Sequence, residues 1–536
     1  MASNRRPLPT TRRELLIAGT LAASAAYVPT AWGARLLDAP ARVGAGRFRD
    51  GVASGEPTAD GITLWSRLTT DHARSGAQLI VAEDEGLTRT VATAVVGTSQ
   101  TVDGSLKTRI TGLKPHTTYY YAWRSREDVS PTGRTRTAPP ADSDIPVRLA
   151  YSSCQNYPTG FFTGHADAAK LDDLDLYVQL GDYQYERASM PGNGRTVAGG
   201  SVDLASYRAL MKLYRADKDL RELHRVHPWI HTWDDHEVAN DYTDNAPAPS
   251  ALQKAAGYRV SFEWMPRMTM PSERYRVYGN RGLGRMCDVF LLDLRQYRTG
   301  EGDGQPRRIA GRAQLDALKA HLTASRARWK IVGTPVQLSP LEIAGQPLNP
   351  DAWDGFVDER KELLDHIAAG GISNVVFLTG DIHVFMANQV LAQADAGRSI
   401  ATEFVGGSVT SSGIDSVLGV TPTTVRLANP WIKHFNGMDH GYGRVDLGAD
   451  AAKVTYRVAA IDRPDAAART LATFTQPLGA NDFTQDGGAA IRAASEGDLP
   501  APLTPRQLRS EAARTTALKV RRQRLERVLR AHGADR

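Results

Sequence analysis

The sequence predicts an α/β protein whose core strands are buried on both faces, preceded by a small β-sandwich. Three observations predict it. From residue 147 onward, short apolar runs alternate with stretches of helical periodicity, the pattern of parallel strands joined by crossover helices. Between residues 47 and 137 the runs alternate apolar with polar residues and are separated by turn residues. At 536 residues the chain is longer than one hydrophobic core usually covers, which favours two domains with appended segments.

Taken in order, residues 1–33 read as an export signal. Thr11-Arg12-Arg13-Glu14-Leu15-Leu16 precedes a moderately apolar run, residues 17–28, and a small-residue site at Ala31-Trp32-Gly33. This is the twin-arginine pattern; it predicts removal of the segment and a soluble protein outside the cytoplasm, exported folded by the twin-arginine translocation machinery. No other stretch has the roughly 20 apolar residues a bilayer span needs. The sandwich, residues 47–137, has strand candidates at 62–66, 77–81, 90–96 and 118–123. Its segment Gly112-Leu113-Lys114-Pro115-His116-Thr117-Thr118-Tyr119-Tyr120-Tyr121 resembles the corner of immunoglobulin- and fibronectin-like domains, where a tyrosine closes the turn back onto the backbone. Pro-rich, polar residues 137–144 mark a boundary.

The second domain, residues 145–500, has strand candidates at 147–151, 176–180, 229–233, 289–294, 329–333, 375–379 and 402–405. Helices are expected at 204–214, 310–324 and 359–368, and a closing antiparallel hairpin at 443–447 and 454–461. Residues 190–201 and 470–498 read as long loops. The tail, residues 504–536, is Arg-rich with Leu518, Leu525, Val528 and Leu529 on one helical face. It is read as a helix lying on the body with a solvated outer face, with a basic lid or a peripheral contact with anionic surfaces as the functional alternatives.

Charge is unevenly placed. The formal net charge is +6, but residues 1–33 carry four arginines against one glutamate, and residues 504–536 carry nine arginines and one lysine against three acids. The body between is about −4, which argues against a nucleic-acid partner. Only two cysteines are present, Cys154 and Cys287. A disulfide is the ordinary reading in an exported protein; Cys154 at a strand end beside other ligand types favours metal ligation instead.

The chemistry concentrates at strand ends. The run 147–151 leads to Cys154 and the run 174–180 to Gly181-Asp182, with enough chain between for a loop and a helix, so the two residues should meet at the carboxyl edge of a parallel pair. Three motifs follow strands: Gly181-Asp182-Tyr183-Gln184-Tyr185-Glu186, Trp233-Asp234-Asp235-His236-Glu237 and Gly380-Asp381-Ile382-His383. One aspartate at a strand end often merely caps a helix; three such ends plus Cys154 point to metal. Asp182, Asp235 and Asp381 offer hard oxygens, while Cys154, Tyr185 and His383 offer sulfur, phenolate and imidazole. A phenol ionises at neutral pH only beside a strong Lewis acid, with ferric iron the first candidate and zinc the second. If Cys154, Asp182, Tyr185, Asp235 and Asp381 are all anionic their charge is −5, which a trivalent and a divalent cation offset.

These residues resemble the PhoD family of alkaline phosphatases and phosphodiesterases, in the metallophosphoesterase class that includes purple acid phosphatases. The resemblance is carried by the twin-arginine segment, VASGEP at 52–57, LWSR at 64–67, SSCQ at 152–155, GDYQYE at 181–186, WDDHEVAND at 233–241, LDLRQYR at 292–298, WDGF at 353–356, TGDIH at 379–383, EFVGGSVTS at 403–411 and HGYGRV at 440–445. It implies a metallophosphoesterase core of two mixed sheets flanked by helices behind an immunoglobulin-like or fibronectin-like β-sandwich. It also implies Fe(3+) held by Cys154, Asp182, Tyr185 and His383 and Ca(2+) by Asp182, Asp235 and Asp381, with Asp182 bridging and Zn, Mg or Mn as substitutes. The implied reaction is hydrolysis of phosphomonoesters or phosphodiesters by in-line attack of a metal-bound hydroxide, with His236 protonating the leaving alkoxide.

Asp234 and Glu237 are expected to orient His236 or the metals, and Asn240 and Arg295 to touch phosphate, with a structural ion pair the other reading of Arg295. Gly333-Thr334-Pro335-Val336-Gln337 lacks the histidine that purple acid phosphatases supply there, leaving the second metal a ligand short. Gln184 stands where some relatives have a cation, implying a differently built phosphate grip. Two further functions stay open: a phospholipase D-type phosphodiesterase acting on phospholipids, and a non-catalytic cell-wall or phosphopolymer binder with a degenerate hydrolase. The complete set Cys154, Asp182, Tyr185, Asp235, His236, Asp381 and His383 argues against the last.

Overall fold

In the computed structural model, described for residues 42–188, 195–242, 249–299, 306–343, 346–392, 397–413 and 422–488, two mixed β-sheets lie face to face. The export segment, the C-terminal tail and residues 489–498 lie outside the described residues. The larger sheet has ten strands, in the order Thr484–Gly488, Arg469–Pro477, Ala451–Val458, Gly441–Leu447, Val147–Ser152, Leu176–Leu180, Pro228–Thr232, Val52–Thr58, Gly61–Arg67 and Ser105–Thr111. The smaller has seven: Gly279–Leu283, Cys287–Leu291, Trp329–Thr334, Val375–Thr379, Ser399–Gly406, Phe385–Leu391 and Ile432–Asn436.

Strand periodicity builds the layers. Along Val147–Ser152, Leu149 and Tyr151 point between the sheets and meet Leu291, Ile331, Leu378 and Phe404, whereas Ala150 joins Tyr177 and Trp229 on the other face. There the helices Leu204–Ala216, Lys218–Val226 and Ala251–Trp264 cover the sheet with Tyr207, Leu210, Tyr214, Leu220, Leu223 and Val260. The helices Arg312–Ala324 and Val357–Ala369 cover the outer face of the smaller sheet with Leu315, Leu318, Leu363 and Ile367. The result is helix, sheet, sheet, helix, with both sheets buried on two faces as their apolar runs require.

The central strands are parallel. Val147–Ser152, Leu176–Leu180 and Pro228–Thr232 run together in one sheet, and Cys287–Leu291, Trp329–Thr334, Val375–Thr379 and Ser399–Gly406 in the other. Their carboxyl ends deliver Cys154, Asp182, Asp235 and Asp381 to one edge of the molecule.

The boundary at residues 137–144 divides the sequence but not the sheet. Val52–Thr58 pairs parallel with Pro228–Thr232, Ser54 opposite Pro228, so three N-terminal strands extend the larger sheet. A separate sheet of Thr90–Ser99, Arg74–Ala82, Thr118–Arg124 and Gly133–Arg136 shares a core with them through Val52, Leu64, Leu79 and Trp123. The tyrosine corner is present, with the Lys114 backbone N–H donating to Tyr119 Oη at 2.8 Å. The expected loop at 470–498 is corrected in its first part: Arg469–Pro477 and Thr484–Gly488 are strands on the hairpin of Gly441–Leu447 and Ala451–Val458. Ala472 and Phe474 are the buried apolar residues that anchor them. No helix among the described residues is long and apolar enough to cross a membrane.

Candidate metal centre

Four of the expected metal-site residues sit in left-handed backbone conformation: Cys154 at φ 60°, Asp182 at 54°, Asp381 at 69° and His383 at 59°. Non-glycine residues hold that conformation at a cost of order 1–3 kcal/mol each, and such strain gathers where side chains must be aimed. The strand ends are packed tightly enough to impose it. A Cβ on Gly181 would lie 2.7 Å from the Asp234 N and Cβ, and one on Gly380 would lie 2.6 Å from Ser153 Oγ. The backbone amides of Cys154 and Gln155 donate to the carbonyls of Gly181 and Asp182 at 3.3 and 3.1 Å, joining two strand ends.

Two donor groups result. Donor atoms of Cys154, Asp182 and His383 all lie within 4.8 Å of one another, as do donor atoms of Asp182, Asp235 and His236. Asp182 belongs to both. Tyr185 completes the first group: its hydroxyl is 2.8 Å from Asp182 Oδ2 and 3.2 Å from His383 Nε2. His383 Nδ1 donates to the Ser412 carbonyl at 3.0 Å, which leaves Nε2 as the free donor atom. Ser411 Oγ is 2.6 Å from Tyr185 Oη and 2.9 Å from the Cys154 carbonyl.

The electrostatics are those of a site short of positive charge. Burial, then Asp235 and Asp234, raise the Asp182 carboxyl well above its usual range despite His236. Burial raises the Cys154 thiol and the Tyr185 phenol, each reinforced by Asp182. Burial, then Asp234 and Asp235, raise Asp381. Burial acts the same way on Asp235 but is outweighed by His236 and Arg295, so this carboxyl is lowered. His236 is raised in spite of its burial, by Asp235, Asp182 and Glu186. Clustered anions of this kind in a buried site fit cations: sulfur, phenolate and imidazole in one group suit iron or zinc, and the carboxylates of Asp182 and Asp235 in the other suit a harder ion.

The geometry also places the remaining expected residues. Asp381 lies near Asp234, Asp235 and Cys154, and its Oδ2 accepts from Asn349 Nδ2 at 2.6 Å. Arg295 has no exposed surface and pairs with Asp234 at 2.6 Å and Asp351 at 2.7 Å, so of its two readings the structural ion pair holds. Asp234 is thereby engaged away from His236. Glu237 accepts from the backbone amides of Asp182, Tyr183 and Asp234 at 3.2, 2.7 and 3.0 Å, bracing two strand ends rather than His236. Asn240 is half-buried, its amide nitrogen bonded to Asp241. Gln184 is buried and lines a small internal cavity with Gln179, His231 and Glu237. Both cysteines are free.

Residues that sequence reasoning passed over include Glu186, bonded to His236 Nδ1 at 2.7 Å, along with Ser411 and Asn349. Glu186 and Ser411 close quoted motifs, but nothing in their spacing singles them out. His165, His224, His227 and His231 are buried and belong to neither donor group.

A profile of the PhoD-like phosphatase family matches residues 149–456, and a profile of the PhoD-like phosphatase N-terminal domain matches residues 34–139. The chain belongs to the PhoD-like phosphatases. It is 31% identical over 470 residues to alkaline phosphatase D of Bacillus subtilis (strain 168), covering 80% of each chain. The solved structure of PhoD matches with a TM-score of 0.77 at 28% identity, covering 85% of this chain and 95% of that one. A purple acid phosphatase from yellow lupin (Lupinus luteus) seeds matches with a TM-score of 0.54 at 12% identity, over 79% of this chain and 73% of its own, a likeness of fold. As a PhoD-like phosphatase the protein is a metal-dependent hydrolase of phosphoester bonds.

Proposed function

We infer that this PhoD-like phosphatase is an exported enzyme that hydrolyses phosphomonoesters and phosphodiesters at a paired iron and calcium centre, with His236 as general acid. The observation that carries the reading is the sharing of Asp182 between two donor groups of different chemical character. The first group, Cys154, Asp182, Tyr185 and His383, suits ferric iron; the carboxylates of Asp182 and Asp235, with Asp381 close enough to interact with Asp235, suit a harder ion. Export rests on Arg12-Arg13 and the apolar run behind them.

Bound cations would neutralise the phosphate oxygens and activate water for in-line displacement. The chain's own residues do the rest. Asp182 spans the two groups, and the Ser412 carbonyl keeps His383 Nε2 facing Tyr185. The backbone N–H of Asp241 donates to Asp235 Oδ2, fixing that carboxylate. His236, its side chain 13% exposed, lies beside Asp182 and Asp235 and holds a proton for the departing alkoxide.

The test is to express the full chain and collect the culture medium. Protein recovered there should lack residues 1–33, contain iron and calcium, and hydrolyse both a chromogenic phosphomonoester and its diester analogue. Cytoplasmic retention overturns the export reading, zinc at both positions overturns the metal assignment, and no turnover by metal-replete protein overturns the reaction.

A further inference from the structure

The loop after the strand Leu176–Leu180 supplies more than metal donors. It brings Asp182, Tyr185 and Glu186 to the site within five residues, and the last of these faces His236 from the neighbouring strand end. Glu186 is buried, its side chain 8% exposed. Its Oε2 accepts from His236 Nδ1 at 2.7 Å, and its Oε1 accepts from the Asn240 backbone N–H at 3.0 Å, with Arg187 Nε 3.5 Å away. The His236 ring lies over the Tyr185 ring, centroids 4.0 Å apart and planes 34° from parallel.

These contacts remove both rotational freedoms of the imidazole. Tyr185 fixes the plane of the ring. Glu186 fixes which way round it sits, since a flipped ring would set a C–H against the carboxylate and forfeit a charge-assisted hydrogen bond. The proton on Nδ1 is therefore committed to Glu186, and Nε2 is the atom left to serve a leaving group. The other carboxylates around the ring are otherwise engaged: Asp182 and Asp235 belong to the metal donors, Asp234 is held by Arg295, and Glu237 by three backbone amides.

We propose that Glu186 is the positioning residue of His236, holding the imidazole with Nε2 toward the ester oxygen. It touches no reacting atom and acts only through His236. The proposal rests on the general-acid reading of that histidine, and the experiment separates the two.

Glu186→Ala, Glu186→Gln, His236→Ala and the double variant Glu186→Ala/His236→Ala are compared on a series of phosphate esters running from nitrophenyl to alkyl, with metal content and thermal unfolding measured for each. Glu186→Ala should keep its metals and KM and lose kcat on the order of 10- to 100-fold for alkyl esters, with a smaller loss for nitrophenyl esters. Glu186→Gln should recover part of the loss, because its carbonyl still accepts from Nδ1 while its amino group opposes the Asn240 N–H. The double variant should be no slower than His236→Ala, because two residues that act as a unit are not additive. A leaving-group gradient in His236→Ala without one in Glu186→Ala overturns the proposal alone, as does additive loss in the double variant or loss of metal in Glu186→Gln. No gradient in His236→Ala overturns the acid reading and the proposal with it.

Discussion

Tyr185 is where the nature of the first cation can be read. Its phenol is driven upward by burial, then by Asp182 and Cys154, and its hydroxyl stays within hydrogen-bond reach of Asp182 and His383. Only a strong Lewis acid would ionise such a group at neutral pH, and a ferric tyrosinate absorbs visible light. Ser411 is the tuning partner. Its one proton is drawn to the Cys154 carbonyl at 2.9 Å or to the phenol oxygen at 2.6 Å, and ionisation of Tyr185 favours the second. With the ferric iron proposed for the first group, Tyr185→Phe should therefore abolish the visible band that a tyrosinate would give. Ser411→Ala should keep it but move it to longer wavelength, because the phenolate loses a donor that lowers its energy. Absorption spectra of the two variants at equal iron content check this; a band that survives in Tyr185→Phe, or one that does not move in Ser411→Ala, rules it out.

At the scale of elements, the glycines before Asp182 and Asp381 decide how closely strand ends approach. Gly181 has φ 106° and no room for a Cβ beside Asp234, whereas Gly371, just past the helix Val357–Ala369, has φ 58° and open space. Gly371→Ala should cost about 1 kcal/mol, the conformational term alone. Gly181→Ala should cost about 1–3 kcal/mol more, because a backbone and not a flexible side chain must move. It should also weaken metal binding, since Asp182 and Asp234 move apart. Denaturant unfolding of both variants makes the comparison, and equal costs would remove the close approach from the account.

The same elements show what could be read in the chain. Buried parallel strands such as Leu176–Leu180 and Val375–Thr379 announce themselves as unbroken apolar runs, and the motifs that follow them converge as expected. Val52–Thr58 does not, because VASGEPT is small and polar, although the strand is buried on both faces inside a sheet. The bond that holds the Asp381 carboxylate was equally hidden, since its partner Asn349 lies 32 residues earlier in the chain. Glu186 was in view inside GDYQYE, but its role depends on His236 lying over Tyr185, a contact between two strand ends that spacing along one loop does not encode.

For the whole molecule, the histidines outside the metal centre set an acid limit of their own. His227, at the start of the strand Pro228–Thr232, is 1% exposed, with Nε2 at 3.2 Å from the Ala168 carbonyl at the end of the helix Thr163–Ala168. Burial, with Arg134 adding to it, pushes its imidazole down to about 3, and burial pushes His165 down to about 4. An imidazole depressed in the fold stays neutral while the same group in the unfolded chain takes up a proton near pH 6.5. The unfolded state then binds more protons, so stability is full above that value and falls as pH drops through it toward the folded value. Between pH 7 and 5 the share of His227 is about 2 kcal/mol. His227→Gln keeps a donor to the Ala168 carbonyl and removes the titration, so its stability should fall by about 2 kcal/mol less than that of the parent over this interval. Because the comparison is between two proteins with the same metal centre, acid release of the metals is common to both and cancels. Chemical unfolding at pH 7 and at pH 5 measures the difference; parallel losses would show that the buried imidazoles are already protonated, and that the acid limit belongs to the metal centre instead.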